Sequence, residues 1–379
     1  MSKIDDLIKE LCPDGVEFKK LGSICKIETG KLNANASCED GKYPFFTTAK
    51  EISRIDTYRW DAEALLIAGN ANVGDVKYFK GKFEAYQRTY VLTDFADLTD
   101  IRFLFFCLSN NLKQYLASRK NDAAMTYIVL GTLQNFPIPI PPLEVQKKIV
   151  RVLDSFTELE AELEAELEAR KKQYEYYRNT LLTFNERVIW KSMGEIGKIS
   201  MCKRIMKSQT SRSGDIPFYK IGTFGKTADA YISRELYSDY KSNFPFPKKG
   251  DILLSASGTI GRTVVYDGEP AYFQDSNIIW LENDESQVTN KFLYHLYKIT
   301  TWQTEGGTIK RLYIDNFKRV KIPVPPLEKQ KQIVSILDKF EKLTNDISVG
   351  LPAEIEARRK QYEYYRNKLL TFKELECSK

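Results

Sequence analysis

The residue types able to do covalent or metal chemistry are few and badly spaced for it. The chain of 379 residues holds one histidine, His295. That excludes H-E-x-x-H zinc sites and paired-histidine metal centres. His295 lies in KFLYHLYKIT, where Phe292, Leu293, Leu296 and Ile299 share a buried helical side. A structural histidine is therefore expected there, not the base of a Ser-His or Cys-His nucleophile. Cys12, Cys25, Cys38, Cys107, Cys202 and Cys377 form no CxxC pair, so neither a zinc site nor a disulfide framework is indicated, and thiols in a reducing cytoplasm are expected. Asp14 and Glu17 in PDGVEFK are too close for a metal-holding nuclease pair, and the related Val188–Lys191 lacks them. No G-x-x-x-x-G-K-[ST] loop serves a nucleotide-driven motor. The Pro-Pro turns IPPLE and VPPLE lack the acidic or amide residue and the aromatic that would hold an amine for methyl transfer. No catalytic residue, metal or cofactor is expected.

Polar side chains suited to base edges, with Lys and Arg for phosphates, are better represented. They fall in loops after apolar, strand-like runs. The first half offers Thr47, Thr48 and Lys50, then Asn70 and Asn72 between Gly69 and Gly74, then Gln87 and Arg88. The second half offers Lys220 and Thr223, then Ser255, Ser257, Thr259 and Arg262, then Gln274 beside Asp275. Lys310 and Arg311 follow Gly306–Gly307, whereas the matching stretch Met125–Leu130 has no basic residue. The net charge is +6, and its excess lies in residues 185–325, with 21 basic against 15 acidic groups, while residues 1–141 balance at 18 each. This is a modest pointer to a polyanion.

An internal repeat must position these loops. Residues 138–184 and 322–372 share IP-x-PPLE-x-Q at an offset of 184 and KQYEYYRN at an offset of 188, so the second copy has four extra residues in its middle. Each copy reads as a long helix opened by Pro142 or Pro326. Apolar residues recur at three-, four- and seven-residue steps from Ile149 to Phe184, a heptad-like stripe that needs a partner helix. The obvious partner is the other copy, antiparallel. Leu153, Phe156, Leu163, Leu167, Tyr174, Tyr177, Leu337, Phe340, Tyr362 and Tyr365 are the candidates for helix pairing or partner docking. Leu159–Arg170 contains LEAE, LEAE and LEAR in tandem, a spacer whose length could change by one turn at a time; Gly350 and Pro352 predict a break or kink in copy two.

Fainter pairings link the globular segments: Val16–Ile27 with Val188–Ile199, Gly41–Phe46 with Gly214–Tyr219, Leu65–Gly74 with Ile252–Gly261, Ala85–Gln87 with Tyr272–Gln274, and Leu133–Phe136 with Ile314–Phe317. The expected organisation is globular domain 1–141, repeat helix 142–187, globular domain 188–325 and repeat helix 326–379. Each domain is α+β, with strands such as ALLIAGN, TYVLTDF, DILLSAS, RTVVYDG and SNIIWLE early and the helices IRFLFFCLSNNLKQYLAS and KFLYHLYKITTW late.

The doubled IP-x-PPLExQ helix after two dissimilar globular regions, each with an LG-x-I entry, an IPF-type turn and a Gly-x-x-x-Gly or Gly-Thr-Ile-Gly loop, resembles the DNA-specificity subunit of type I restriction-modification systems. The resemblance covers nearly the whole chain. It implies two target recognition domains, each reading one half of a split double-stranded DNA sequence. It implies a non-catalytic chain in the cytoplasm, with helices that dock two modification (methyltransferase) subunits, joined by restriction (translocase) subunits, and with no membrane role. It also implies that the LEAE units act as a ruler for the gap. A self-sufficient DNA-binding regulator that dimerises through its helices is the alternative, and a scaffold without a DNA role is a third reading.

Overall fold

The computed structural model describes residues 2–119, 127–185, 187–306 and 310–375. The chain divides into two compact units, residues 1–164 with 354–379, and residues 165–353.

In the first unit, apolar runs bounded by turn residues form a six-stranded sheet. Its order is Lys26–Thr29, Thr89–Thr93, Trp60–Ala68, Val76–Ala85, Tyr43–Phe46, Ser53–Ile55. All neighbours are antiparallel except Tyr43–Phe46 and Val76–Ala85, which run parallel with Phe46 beside Ala85. The expected helix forms as Ile101–Ser118, and Asp100 caps it by accepting from Phe103 N–H at 3.0 Å. Leu104, Cys107 and Leu108 of this helix share one core with Leu65, Leu92, Ile149, Leu153, Leu369 and Leu370. The repeat sequence is thus part of the domain core. Residues Glu17–Lys20 pair antiparallel with Pro137–Ile140. The last described residues close the unit: Val16 N–H donates to Lys373 O and Leu375 N–H to Val16 O, each at 2.9 Å.

The second unit splits the same plan over smaller sheets. One has the order Lys198–Ser200, Ile278–Glu282, Ile252–Ser255, Thr263–Val265; another has Tyr231–Ile232, Ile216–Tyr219, Tyr272–Phe273, again with its inner pair to Tyr272–Phe273 parallel. Ile189–Ser192 pairs with Lys321–Val324 as Glu17–Lys20 pairs with Pro137–Ile140. Helix Asn290–Ile299 is capped by Thr289 and buries Phe292, Leu293, His295 and Leu296.

The first repeat is one helix, Leu143–Leu181, about 58 Å long at ~1.5 Å per residue. The second, where Gly350 and Pro352 predict a break or kink, is two helices, Leu327–Asn345 and Leu351–Leu369. Asp346 ends the first by accepting from Ser348 N–H and Oγ–H at 2.8 and 2.6 Å. Gly350 then comes so close that a Cβ there would lie 2.6 Å from the Lys342 and Asp346 carbonyls. Pro352 sits in the first turn of the next helix, where its missing N–H costs nothing.

Gln146 and Gln330, both fully buried, explain the PPLExQ element. Gln146 donates to the carbonyls of Leu98 (2.9 Å) and Pro141 (2.7 Å) and accepts from Asp100 N–H (2.8 Å). Gln330 donates to Gln287 O and Pro325 O and accepts from Thr289 N–H, all at 2.8 Å. Each glutamine therefore pins the start of a repeat helix to the capping residue of its domain's late helix.

His295 occupies the position that Phe106 fills in the first unit, six residues beyond the capping residue in both. It is fully buried, with Nε2 2.8 Å from Asp338 Oδ1 and Nδ1 4.0 Å from Glu341 Oε2. Burial lowers its pKa, opposed by the Asp338 hydrogen bond and the Glu341 carboxylate. The folded state thus binds the proton more weakly than the unfolded chain. Its contribution to stability is complete above the ordinary histidine pKa of ~6.5 and is lost as pH falls through the window below it. The melting temperature of the wild-type chain should drop between pH 7.5 and 5 more steeply than that of His295→Phe. Parallel melting curves for the two would refute this.

Candidate nucleic-acid interface

In each unit the sheet delivers four loops to one place. In the first, the parallel strands set residues 47–50 beside 86–88, with Tyr86 N–H donating to Phe46 O at 2.9 Å. Gly69 N–H donates to Arg88 O at 2.8 Å, and Ile128 N–H donates to Gly69 O at 2.7 Å. The second unit repeats every link. Gln274 N–H donates to Tyr219 O at 3.0 Å, Ala256 N–H to Asn277 O at 2.7 Å, and Leu312 N–H to Ala256 O at 2.8 Å.

The central loop is one backbone used twice. Gly74 N–H reaches Ala68 O at 2.9 Å, and Gly261 N–H reaches Ser255 O at 3.0 Å. Ala68 with Asp75, and Ser255 with Arg262, close the loops with bonds of 2.9 Å. Left-handed residues fall at the same places: Ala71 and Gly74 (φ +53° and +81°), Gly258 and Gly261 (φ +63° and +85°). At Gly258 the residue type suits that conformation, whereas Ala71 is held in it at a cost of about 1 kcal/mol.

One expected pairing needs correction. The hydrogen-bond register places Tyr86, not Gln87, opposite Gln274, and the second unit gains a residue before Asn277. Gln274 is half-buried and accepts from Ile221 N–H at 2.9 Å, bracing the loop after Ile216–Tyr219. Gln87 is exposed and donates to Asn33 Oδ1 at 2.8 Å.

The remaining candidates divide by what their side chains touch. Ser255 is a correction: it is buried, donating to Thr259 O at 2.5 Å and accepting from Arg262 N–H at 2.9 Å. Thr48 is also buried, and its carbonyl accepts from Asn72 Nδ2 at 2.8 Å. Thr47 accepts from Ala49 N–H (3.2 Å), and Thr223 closes a turn on Lys220. Ser257 donates to Asn277 Oδ1 at 2.7 Å. Arg262 and Arg311 are half-buried and donate to Phe224 O (2.9 Å) and Ser276 O (2.8 Å). Asn70 pairs by backbone with Tyr127, and its Oδ1 is buried without a hydrogen-bond partner. Lys50, Arg88, Thr259 and Lys310 are exposed. Lys220 is ion-paired with Asp229 at 2.8 Å. Met125 and Gly307 lie outside the described residues, as does Cys377.

Sequence reasoning missed several participants. Lys77 donates from Nζ to Ala49 O at 2.7 Å beneath the first loop, and burial lowers its pKa. An open cleft of about 580 Å³ is lined by Lys50, Asn72, Asp75, Lys113 and Tyr127, with Asp75 and Lys113 ion-paired. Tyr127, 52% exposed, stands where the second unit has Arg311. Arg204 pairs with Asp275 at 2.8 Å. None of these shows a motif, because loop closure alone brings them together.

Among the described residues no group of three His, Cys, Asp or Glu side chains is placed to hold a metal ion. Cys25 and Cys202 are buried, with thiols pushed up to about 12 by burial. No described helix is long and apolar enough to cross a membrane.

Of the helix candidates, Leu153 and Leu337 are core residues, and Leu163 and Leu167 are half-buried. Phe156 packs on Tyr362 and Tyr365 at ring distances of 6.2 and 5.7 Å in the first unit. Phe340 packs on Tyr174 and Tyr177 at 6.5 and 5.4 Å in the second. Arg359 pairs with Glu160 and Glu164, each at 2.5 Å; the earlier Phe156 thus meets the later Tyr362 and Tyr365 while the later glutamates meet the earlier Arg359, so the helices in the first unit run antiparallel.

Known proteins share this organisation. A family model described as type I restriction modification DNA specificity domain matches residues 13–169 and again 186–357. A putative type I restriction enzyme specificity subunit of Haemophilus influenzae is 50% identical over 373 residues, covering 94% of this chain and 96% of that protein. The EcoR124I/EcoR124II specificity subunit of Escherichia coli is 34% identical over 78% of this chain and 76% of its own length. The crystal structure of the S subunit from M. genitalium matches with a TM-score of 0.58 at 16% identity, covering 94% of this chain and 96% of that one. The HsdS subunit from Thermoanaerobacter tengcongensis matches with a TM-score of 0.54 at 17% identity, covering 95% and 97%. At these identities the two structures speak to the fold.

Proposed function

The chain belongs to the type I restriction-modification DNA specificity family, and from that premise we propose how its two units divide the work. The chain confers sequence specificity and leaves catalysis to other subunits. Each unit reads one half of a split target in double-stranded DNA with its four-loop cluster. The observation that carries this reading is one backbone frame holding different side chains: Asn70 against Ser257, Asn72 against Thr259, Asp75 against Arg262, Tyr127 against Arg311. A shared frame fixes the approach to the duplex, and exchanged side chains change the bases preferred.

Within the clusters, Lys50, Arg88, Lys220 and Lys310 take phosphates, and Asn72, Gln87, Ser257, Thr259 and Arg311 are the candidates for base edges. Asn70 and Arg262 stand beside them, at the loop's start and end. Thr47, Thr48, Thr223, Ser255 and Gln274 shape the loops. The repeat helices set the gap between half-sites and dock two modification subunits, to which restriction subunits add, in the cytoplasm. Binding is salt-dependent through the phosphate contacts.

The test is a methylation map of the source cell's DNA with the gene intact and deleted. Loss of one split motif on deletion is the expected result and would name both half-sites and the gap. An unchanged map would overturn the reading.

A further inference from the structure

The four loops of each cluster have a fifth neighbour, built the same way in both units and charged oppositely. It is residues 31–40 in the first unit and residues 204–213 in the second, aligned at the offset of 173 that also pairs Gly41–Phe46 with Gly214–Tyr219. Each loop holds a single 3-10 turn, Ala34–Ala36 or Lys207–Gln209. Ala36 N–H donates to Asn33 O at 3.1 Å, and Gln209 N–H donates to Met206 O at 2.9 Å. A hydroxyl then closes the turn in both, Ser37 Oγ–H on Ala34 O at 3.1 Å and Thr210 Oγ1–H on Lys207 O at 2.8 Å. The far end of each loop is tied to an edge strand, Cys38 N–H donating to Arg54 O and Ser211 N–H to Tyr231 O, both at 2.9 Å. The near end is tied to the loop cluster through the equivalent residues Gln87 and Asp275. Gln87 donates to Asn33 Oδ1, and Asp275 pairs with Arg204, each at 2.8 Å.

On this shared frame the side chains differ in sign. Residues 31–40 carry Lys31, Glu39 and Asp40, a net charge of −1. Residues 204–213 carry Arg204, Lys207 and Arg212 with no acid, a net charge of +3. All six charged residues are exposed. Arg204 is braced by Asp275, whereas Lys207 and Arg212 make no ion pair among the described residues. The two globular segments differ by six charges, and this loop supplies four of them. Packing does not call for the difference, since the charged groups face solvent and like charges on one short loop repel. A polyanion lying along the loop offsets that repulsion.

We propose that residues 204–213 clamp the DNA backbone beside the second unit's half-site and make that unit the anchor of the complex. Lys207 and Arg212 take the phosphates. The first unit, whose matching loop is acidic, reads its half-site without such a hold. This rests on the reading above that the loop clusters meet DNA. The turn is already closed by its own hydrogen bonds, so little freedom is lost when the backbone arrives. Phosphate contacts carry no base information, so the clamp strengthens binding to any sequence and leaves the preference for the target unchanged.

The experiment measures DNA affinity of the full chain assembled with its modification subunits, between about 50 and 200 mM salt. Two duplexes are compared, one carrying the mapped split target and one without it. Lys207→Ala with Arg212→Glu gives the second loop the first unit's residues at both positions. Losing two phosphate contacts should make the plot of log affinity against log salt shallower by about 1.8. The variant's deficit against wild type should therefore shrink about twelvefold across that salt range, equally on both duplexes. The reciprocal Ala34→Lys with Glu39→Arg should steepen the plot by a similar amount, a gain that misfolding cannot produce. An unchanged slope in the second-loop variant overturns the clamp and leaves the specificity reading intact. A loss confined to the target duplex overturns it in favour of base reading by this loop. No gain in the first-loop variant overturns the contrast between the units. A wild-type assembly that binds neither duplex, or both alike, overturns the specificity reading and the clamp together.

Discussion

Deleting Leu163–Glu166 should abolish methylation at the original target and create methylation at a new one, with both half-sites unchanged and the gap between them shortened. The deletion removes four residues from one continuous helix, which shortens it by ~6 Å and rotates the downstream part of the helix by ~40°. A DNA base pair accounts for ~3.4 Å and, at ~10.5 per turn, ~35°. The rotation matches one base pair and the translation lies between one and two, so a gap shorter by one base pair, at most two, is expected. The deletion also removes Glu164, one of the two partners of Arg359, while the other, Glu160, remains. These are exposed pairs, and their loss should cost little. Single-molecule sequencing of DNA from cells carrying the deletion would read the outcome directly. A changed base within either half-site would sink the ruler.

The second large effect concerns stability. Gln330→Leu strands Thr289 N–H and two carbonyls, those of Gln287 and Pro325, at a junction where the side chain is fully buried. An unsatisfied buried group costs roughly 1–3 kcal/mol, less for a carbonyl with a second lone pair in use, so a loss of about 3–5 kcal/mol is expected. Gln146→Leu should do the same to the first unit. Two units need not unfold together. Hydrogen exchange is therefore the measurement to make: protection should fall in helix Asn290–Ile299 for the first variant and in Ile101–Ser118 for the second. Uniform loss across both units, or none, would mean that the glutamines do not act as local clamps.

These residues show how far the sequence could be read. The repeat was legible because KQYEYYRN at a second position has no other explanation, and helix Ile101–Ser118 because its apolar face is uninterrupted. The break in the second repeat was legible from Gly350 and Pro352, since both oppose a continuous helix for independent reasons. Gln146 and Gln330 could be paired by alignment, but their hydrogen bonds reach residues more than forty positions away. Strand Val76–Ala85 was hidden because Gly81, at φ +130°, interrupts the alternation of VKYFKGKFEA. In the loops, residue type misled where geometry decides direction. Ser255 looked like a base contact and is turned inward, and the Gln87–Gln274 pairing failed by one residue because a single insertion leaves no trace in so short a match.

The way the ends of the chain are used bears on its synthesis. Residues 165–353 form one uninterrupted unit, whereas residues 1–164 share their core with Leu369 and Leu370 and are closed by Lys373 and Leu375 on Val16. On the ribosome, elongating at ~5–20 residues per second, the first 164 residues wait roughly 10–40 s for the segment that completes their core. The unit made second is therefore finished first, against the usual order in which domains fold as they emerge. For that interval the nascent chain displays an open core face that chaperones, or the wrong repeat helix of a neighbouring polysome product, can reach.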